Sequence, residues 1–387
     1  MVLLSFCLPL AFEMKSGVYI HIPFCKQACS YCDFHFSTGF KTLEPVMDAI
    51  LREIKAQEKF EADSGIQSLY FGGGTPSIVS PSYIAAITEA LDKRFGLGEM
   101  KEFTLEANPD DMHKENLKAW RDIGINRFSI GIQSFHAQDL EYMNRSHTAL
   151  QAEDCIKRAQ DAGFENISVD LIYGTPGLND DLWLQNLQKI ADLGIPHLST
   201  YALTVEEKTP LWGWIRKGMA LAPLELSYAT QFELLQTFLQ ENAYEHYEIS
   251  NSALKGHRAL HNSAYWNGNP YYGFGPSAHG YDGVGYRYAN IAHNVRYAEA
   301  AEVKEYRQDE SLDWKDRVNE YILTRLRLIE GIIYSEMAER FNAEESDALK
   351  KRAREMGQDC FMPASESLSL KPGYRLMADG IAAKLFV

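Results

Sequence analysis

Residues 18–36 read VYIHIPFCKQACSYCDFHF, a short apolar run that ends at a proline and leads directly into three cysteines. The β-branched and aromatic residues of VYIHIP (18–23) predict a buried strand. Cys25, Cys29 and Cys32 follow at spacings of four and three residues. The thiols therefore lie just beyond the end of a strand, where a fold that gathers strand ends would place a ligand site.

The same order of strand and helix recurs through the first half of the chain. Five further β-like runs are IQSLYFGGG (66–74), EFTLEAN (102–108), RFSIGIQS (127–134), ISVDLIYG (167–174) and HLSTYALT (197–204). Segments between them, such as VMDAILREIKAQEKF (46–60) and SYIAAITEALDKRFG (82–96), carry apolar residues at three- and four-residue intervals, which is typical of amphipathic helices. Six strand–helix units predict an α/β fold in which right-handed crossovers join parallel strands. They are too few to close an eight-unit barrel, so we predict an open, partial six-unit β/α barrel with its ligand site at the C-terminal strand ends.

The remaining sequence suggests three parts. Residues 1–17 read as a leader, either an over-extended start with Met14 as the first native residue or a small added strand. Residues 18–300 read as the partial barrel with an extension, in which the Gly-, Tyr- and His-rich segment 261–290 is predicted to be an ordered loop region. Residues 301–387 read as a small C-terminal domain.

That C-terminal domain has a helical pattern followed by a hairpin pattern. Residues 313–331 and 333–341 predict two amphipathic helices, and residues 365–386 predict a short hairpin and a last helix, which together resemble a winged helix. Winged helices often bind DNA. The chain, however, holds 38 Lys and Arg against 53 Asp and Glu, a net charge of −15, and such a surface repels phosphate backbones. We therefore expect no nucleic-acid partner.

Cysteine usage bears on the compartment. Six cysteines among 387 residues are too few for a disulfide scaffold, and clustered thiols suit a reducing compartment, so we predict a cytoplasmic protein. No stretch of the sequence is long and apolar enough to span a bilayer.

The three clustered cysteines admit several interpretations. A disulfide would leave one thiol over, and inert buried cysteines would be unusual in a loop with polar neighbours. Zinc with His21 or His35 as a fourth ligand stays open, although structural zinc sites usually combine two ligand pairs. An iron–sulfur cluster held by three thiolates, with one iron left open for a small molecule, fits the spacing better than zinc.

The spacing Cys-x3-Cys-x2-Cys, with Tyr31 before the last cysteine, resembles the signature of the radical S-adenosylmethionine (SAM) superfamily. The motifs VYIHIPFCKQACSYCDF, YFGGGTPS, LEANPD, GIQSF, DLIYGTPG and HNSAYW, in this order, are similar to its coproporphyrinogen III dehydrogenase-like branch and, within that branch, to the HemW haem chaperones. The resemblance implies a [4Fe–4S] cluster on Cys25, Cys29 and Cys32. It also implies that the open iron chelates the amino and carboxylate groups of SAM, and that one electron from the cluster can cleave SAM to a 5′-deoxyadenosyl radical.

The resemblance also implies a SAM pocket, whose residues here are Tyr19, Tyr31, Gly73, Gly74, Thr75, Glu106, Gln133, Arg145 and Asp170. Glycines allow the backbone to approach the SAM amino group, carboxylates suit ribose hydroxyls, and arginine pairs with a carboxylate. Each residue taken alone has a plainer interpretation: a tight turn for the glycines, helix caps or salt-bridge partners for the acids, and a solvated surface position for the arginine. His21 is as well explained by a structural role. Their shared position at the strand ends favours ligand contact.

Two functions divide this branch. The dehydrogenases remove a hydrogen from a propionate side chain and carry a fourth cysteine two residues beyond the third, where this chain has Phe34. The haem-carrying relatives have a His-Asn-x-x-Tyr-Trp motif, which HNSAYW supplies as His261, with Asn262, Tyr265 and Trp266. A neutral imidazole is a good axial ligand for haem iron, and aromatic rings can cover a macrocycle. For these residues a capped turn and core packing are the plainer alternative, and His257 and His279 are further candidate ligands.

These features predict a haem chaperone that binds haem, a [4Fe–4S] cluster and SAM. The predicted partners are haem-accepting proteins, respiratory haem enzymes above all, an electron donor for the cluster and, transiently, a membrane surface. An oxygen-independent coproporphyrinogen III dehydrogenase is the alternative, so whether the chain is an enzyme stays open, with Phe34 favouring the carrier. A zinc or iron–sulfur protein that does not use SAM is the third reading.

Overall fold

The computed structural model describes residues 14–357 and 359–387, and an eleven-stranded sheet is its main element. The first six strands are β1 (Met14–Ile22), β2 (Asp63–Gly73), β3 (Glu102–Ala107), β4 (Arg127–Gln133), β5 (Asn166–Tyr173) and β6 (His197–Ala202). Each pairs in parallel with the next along the chain. The predicted open, partial β/α barrel is therefore confirmed.

The remaining strands extend this sheet or form a small second one. They are β7 (Asn251–Ala253), β8 (Tyr271–Phe274), β9 (His279–Tyr281), β10 (Tyr286–Asn290), β11 (Arg307–Ser311), β12 (Ile332–Ile333) and β13 (Ser367–Leu368). Strand β7 is antiparallel to β6 at one edge. At the other edge β8 is parallel to β1, and β9, β10 and β11 follow in antiparallel order.

Helices connect the strands and complete the C-terminal region. They are α1 (Leu43–Ala56), α2 (Pro81–Phe95), α3 (Lys114–Ile123), α4 (Ala137–Tyr142), α5 (Ala149–Asp161), α6 (Asp180–Asp192), α7 (Pro210–Arg216), α8 (Glu225–Glu241), α9 (Leu260–Asn267), α10 (Asn294–Glu299), α11 (Trp314–Leu326), α12 (Tyr334–Arg340), α13 (Ala343–Met356) and α14 (Ala378–Ala383). Helix α2 begins where the Ser80 side chain accepts from the Ser82 N–H and Pro81 occupies the first turn. In the described residues, no helix has both the length and the apolar character that a membrane crossing requires.

The predicted loop over 261–290 is wrong, because this segment holds α9, β8, β9 and β10. Its strands have only three to five residues, too few to show a clear alternation, and β8 pairs with β1, which lies far away in the sequence, while β9 and β10 form a local hairpin. Two of its glycines, Gly273 and Gly280, lie inside strands and permit close packing there. A Cβ on Gly273, for example, would collide with the carbonyl oxygen of His279.

The C-terminal region forms a small α+β unit, as predicted. Strand β12 pairs with β13, Phe361 pairs with Leu370, and a buried cluster that includes Val318, Ile322 and Leu349 fills the space between the helices. Helix α13 was not predicted.

The division of the chain into three parts stays a prediction. Residues 1–13 of the predicted leader, with Cys7, lie outside the described residues, and 14–17 form the start of β1. The large core of the sheet and the C-terminal core are separate clusters of buried residues.

Candidate functional site

The C-terminal ends of the parallel strands surround a cleft of about 370 Å³, which we call the cysteine cleft because Cys25, Cys29 and Cys32 line it. The other predicted residues that line it are Tyr31, Gly73, Gly74, Thr75, Glu106, Gln133, Arg145 and Asp170. They come from the ends of β2, β3, β4 and β5 and from neighbouring loops. Residues separated by well over a hundred positions thus meet at one mouth of the sheet, and the volume suits a small-molecule site.

Backbone hydrogen bonds hold the cysteine loop on the barrel. Cys25 donates to the Ser37 carbonyl at 3.0 Å, and Ser37 donates to the Pro23 carbonyl at 2.9 Å, which closes the loop on itself. Ser30 donates to the Met143 carbonyl at 3.0 Å, which anchors the middle of the loop. The thiols therefore project from a fixed loop.

Arg145 is the main polar partner of this loop. Its Nη1 lies 3.1 Å from the Cys29 Sγ, and its Nη2 donates to the Asn108 Oδ1 at 2.8 Å and to the Gly131 carbonyl at 2.7 Å. Its Nε is buried without a partner among the described residues. A fixed guanidinium beside a thiol favours the negative charge that metal ligation requires.

Burial has the opposite effect on two of the thiols. It raises the pKa of Cys25 to about 11 and that of Cys32 to about 12, although the Thr75 hydroxyl, 3.4 Å from the Cys25 Sγ, opposes the rise at Cys25. A ligand that binds these sulfurs as thiolates must therefore displace their protons.

The three thiols fit a multi-iron cluster better than a single ion. They line one cleft, yet no group of three His, Cys, Asp or Glu side chains in the described part of the chain converges as a single-ion site would require. A zinc ion needs its ligands around one point, whereas an iron–sulfur cube spreads them around an inorganic core. The thiols and the adjoining guanidinium are a suitable donor set for that cube.

The glycine turn after β2 passes very close to β1. A Cβ on Gly74 would lie 2.7 Å from the Phe24 carbonyl oxygen, and Gly73 has a φ of 111°, which favours glycine. Gly74 donates to Ile22 and Thr75 donates to Phe24. An amino group donates its N–H bonds, so backbone contacts to it must come from carbonyl oxygens of this turn, while the bonded N–H groups hold the turn in place.

Two carboxyl groups also line the cysteine cleft. Burial raises the pKa of Glu106 to about 7, with Asp170 contributing, while the Tyr70 hydroxyl, which donates to Glu106 at 2.7 Å, opposes the rise. Burial likewise raises the pKa of Asp170 to about 6. Gln133 is buried with a φ of 66°, an uncommon conformation for a residue other than glycine.

Tyr19 does not line the cysteine cleft. Its hydroxyl lies 3.1 Å from the His21 Nδ1, and it lines a second cleft of about 630 Å³. We call this the tyrosine cleft, after Tyr19, Tyr265, Tyr271, Tyr281 and Tyr321 in its lining. The two clefts share Asp33 and Phe34, which lie directly after the last cysteine.

The HNSAYW segment forms α9 beside this second cleft. Tyr265 and Trp266 line the tyrosine cleft, whereas His261 lies behind them, buried. The Ser68 hydroxyl lies 2.9 Å from the His261 Nδ1, and the Tyr265 hydroxyl lies 2.9 Å from its Nε2. Burial lowers the pKa of His261 to about 3, so the ring is neutral and both of its nitrogens are occupied.

Tyr70 contacts both Glu106 and His261. Its hydroxyl donates to Glu106 in the cysteine cleft, and its ring stacks on His261 with centroids 5.0 Å apart. Sequence reasoning missed Tyr70 and also Asn108, the partner of Arg145. Both lie within quoted motifs, YFGGGTPS and LEANPD, but their role depends on contacts that no spacing shows.

Comparisons with known proteins agree with this architecture. Residues 19–190 match the family model described as the Radical SAM superfamily. The chain is 35% identical over 329 residues to a protein of Lactococcus lactis named heme chaperone HemW, covering 85% of this chain and 86% of that protein. It is 30% identical over 358 residues to the Bacillus subtilis protein of the same name, covering 92% and 94%. The chain belongs to the HemW family.

A solved structure supports the fold. The structure resembles that of the coproporphyrinogen III oxidase HemN of Escherichia coli, described as a radical SAM enzyme, with a TM-score of 0.82. The match covers 97% of this chain and 91% of that one at 20% identity, so it shows shared architecture only. Membership of the radical SAM superfamily implies a [4Fe–4S] cluster and SAM.

Proposed function

We propose that this chain is a cytoplasmic haem chaperone that binds haem, a [4Fe–4S] cluster and SAM and delivers haem to haem-dependent enzymes, respiratory ones among them. One observation carries the proposal: the HNSAYW segment lines a large cleft that adjoins the cysteine cleft through Asp33 and Phe34. The names of the L. lactis and B. subtilis relatives support it.

In this proposal Cys25, Cys29 and Cys32 hold the cluster and leave one iron open. Arg145 pairs with the carboxylate of SAM, and Glu106 and Asp170 accept from its ribose hydroxyls. When bound, the cluster supplies one electron for the reductive cleavage of SAM, and an external electron donor must replace that electron. The buried side chains of the cleft orient SAM and exclude water from it.

The motif proposes His261 as the haem ligand, with Asn262, Tyr265 and Trp266 around it. The observed geometry sets a condition on this role. Because the His261 Nε2 faces the Tyr265 hydroxyl, iron can reach that nitrogen only after Tyr265 moves away.

Anaerobic reconstitution of one sample tests the carrier. We expect about four irons per chain, a change in the electron paramagnetic resonance spectrum of the reduced cluster on addition of SAM, and a Soret band that saturates near one haem per chain. Zinc in place of iron, or the lack of a saturable Soret band, would contradict the proposal.

The alternative is oxidative decarboxylation of coproporphyrinogen III, which the HemN-like fold permits. Phe34 argues against it, since it occupies the position of the fourth cysteine of the dehydrogenases and is 69% exposed at the border of both clefts. Cluster-replete protein with SAM and a reductant should leave coproporphyrinogen III unchanged. Formation of protoporphyrinogen would establish the alternative.

A further inference from the structure

We propose that the tyrosine cleft itself is the haem site, with His279 facing the iron and Arg317 and Arg340 binding the two haem carboxylates. This inference rests on the proposed function and names the residues that perform it. It differs from the motif-based ligand because His279 lies on β9 and both arginines lie on C-terminal helices, outside HNSAYW.

The lining of the tyrosine cleft matches a flat apolar macrocycle with an acidic edge. Rings of Tyr265, Trp266, Tyr271 and Tyr281 face a cavity of about 630 Å³, considerably larger than the cysteine cleft. Aromatic side chains give a planar ligand large apolar contact areas. Ser277, also in the lining, has a φ of 67°, and such strain in a non-glycine residue concentrates at functional sites.

The three arginines that line the tyrosine cleft differ in whether they already pair with a carboxylate. Arg287 already pairs with Glu310 and Glu320. Arg317, on α11, and Arg340, on α12, have no salt-bridge partner among the described residues, although acids outnumber bases in this chain. Two half-buried guanidinium groups without carboxylates, both lining one apolar cleft, are suited to a ligand that brings carboxylates of its own.

Three histidines line the cleft, and two of them are occupied. The His21 ring is held by the Tyr19 hydroxyl at Nδ1 and by the His35 carbonyl at Nε2, and the His35 Nε2 lies 2.7 Å from the Asn294 Oδ1. His279 is exposed, and its ring makes no hydrogen bond to another described residue. Among the three, His279 is the one with neither ring nitrogen bonded to a described residue, so either nitrogen can bind iron without breaking an existing contact.

A haem site in the tyrosine cleft would lie next to the cluster and SAM site in the cysteine cleft. Asp33 and Phe34 lie between the tyrosine cleft and the cysteine cleft, so a haem in the first cleft would contact the loop that carries the cluster ligands. The C-terminal domain supplies both carboxylate anchors, and that gives this domain a role in binding the cargo.

Haem titration of the full chain, followed by the Soret band and by magnetic circular dichroism, tests the ligand. His279→Ala should weaken binding at least tenfold and remove the signature of imidazole ligation, and added imidazole should restore the signature. His113→Ala is the matched control, because His113 is exposed and lies outside the cleft. Unchanged iron content and SAM binding show that each variant is folded.

Haem dimethyl ester, which lacks the free carboxylates, tests the arginines. The double variant Arg317→Gln, Arg340→Gln should bind haem at least tenfold more weakly than wild type and bind the dimethyl ester as wild type does. Arg296→Gln, on an exposed face of α10, is the control.

The outcomes separate this inference from the proposed function. Wild-type protein that binds no haem overturns both. Wild-type binding that His279→Ala and the double arginine variant leave unchanged, or loss of imidazole ligation in His261→Ala but not in His279→Ala, overturns the inference alone.

Discussion

The cysteine cleft and the tyrosine cleft share two residues but are built in different ways. The ends of parallel strands form the cysteine cleft, and its polar groups are buried and bonded to one another, as Arg145 is to Asn108 and to Gly131. The tyrosine cleft is lined by the antiparallel extension and the C-terminal helices. Among the described residues, Arg317 and Arg340 in its lining have no salt-bridge partner, and the His279 ring makes no hydrogen bond. A cofactor that must stay in place suits the first arrangement, and a cargo that must leave suits the second. We therefore expect substitutions in one cleft to leave the other largely intact.

The largest expected effect is on the cluster. Cys29→Ala removes one of three ligands, and the iron content should fall from about four per chain to near zero. Haem affinity should change by less than about threefold, since the haem residues lie in the other cleft. Iron analysis and a Soret titration on the same preparation measure both quantities.

Cys155→Ala is the control for this experiment. Cys155 is buried in α5, away from the cleft, and its thiol donates to the Ala152 carbonyl. The variant should keep its iron and lose about 1 kcal/mol of unfolding free energy. Loss of iron here, or a cluster retained by Cys29→Ala, would contradict the ligand assignment.

The next effect separates SAM affinity from haem affinity. Arg145→Gln removes the guanidinium beside Cys29 and the proposed partner of the SAM carboxylate. Loss of a charged, buried hydrogen-bonding group costs about 1.5–3 kcal/mol, which corresponds to roughly a 10–100-fold weaker SAM affinity. Equilibrium dialysis with labelled SAM measures it, with Arg296→Gln as control. Equal losses of SAM and haem affinity would show that the clefts are not independent.

A pH-dependent effect follows from Glu106. The pKa of Glu106 in the folded state, about 7, lies above its ordinary value of 4.5. Between pH 4.5 and 7 the folded state therefore binds more protons than the unfolded state, and the stability that this group contributes to the wild-type protein falls as the pH rises through that range. Glu106→Gln removes that dependence. The difference in unfolding free energy between the Glu106→Gln variant and wild type should therefore shift in favour of the variant by about 1–3 kcal/mol from pH 4.5 to 7.5. Urea unfolding without SAM measures this difference. A difference that stays constant over this range would contradict the raised pKa.

The smallest effect concerns Tyr70. Tyr70→Phe keeps the ring that stacks on His261 but removes the hydroxyl that donates to Glu106. Because Glu106 is partly protonated near pH 7, the lost hydrogen bond should contribute about 0.5–1.5 kcal/mol, so SAM affinity should fall by no more than roughly tenfold while haem affinity is unchanged. A larger loss of haem than of SAM affinity would show that Tyr70 serves mainly the tyrosine cleft.

The two clefts also differ in how well the sequence predicts them. In the cysteine cleft, strand periodicity places Gly73, Glu106 and Gln133 at or near successive strand ends and Asp170 within the next strand, and parallel order brings these positions to one mouth. Tyr19 was predicted there and faces the other cleft instead, because it shares a strand face with His21, two residues on. Arg145 could be included only from the family resemblance, since its loop has no pattern of its own.

The sequence predicts little of the tyrosine cleft. Strands β8 to β10 are too short for a clear alternation of apolar and polar residues, so the pattern of residues 261–290 predicts a loop. Arg317 and Arg340 look like ordinary exposed residues of amphipathic helices, since only the packing of α11 and α12 brings them to the cleft. HNSAYW supplies Tyr265 and Trp266 to this cleft. His261 is buried behind them because Gly17 and Ser68 of the neighbouring strands approach its ring closely, which the motif does not show.

Simultaneous occupancy tests the central claim most directly, namely that cofactor and cargo have separate, adjoining sites. Cluster-replete protein saturated with labelled SAM is titrated with haem, and both ligands are counted after equilibrium dialysis. Two separate clefts predict one haem and one SAM bound together on each chain. Haem that expels SAM mole for mole would mean a single shared site and would contradict the account.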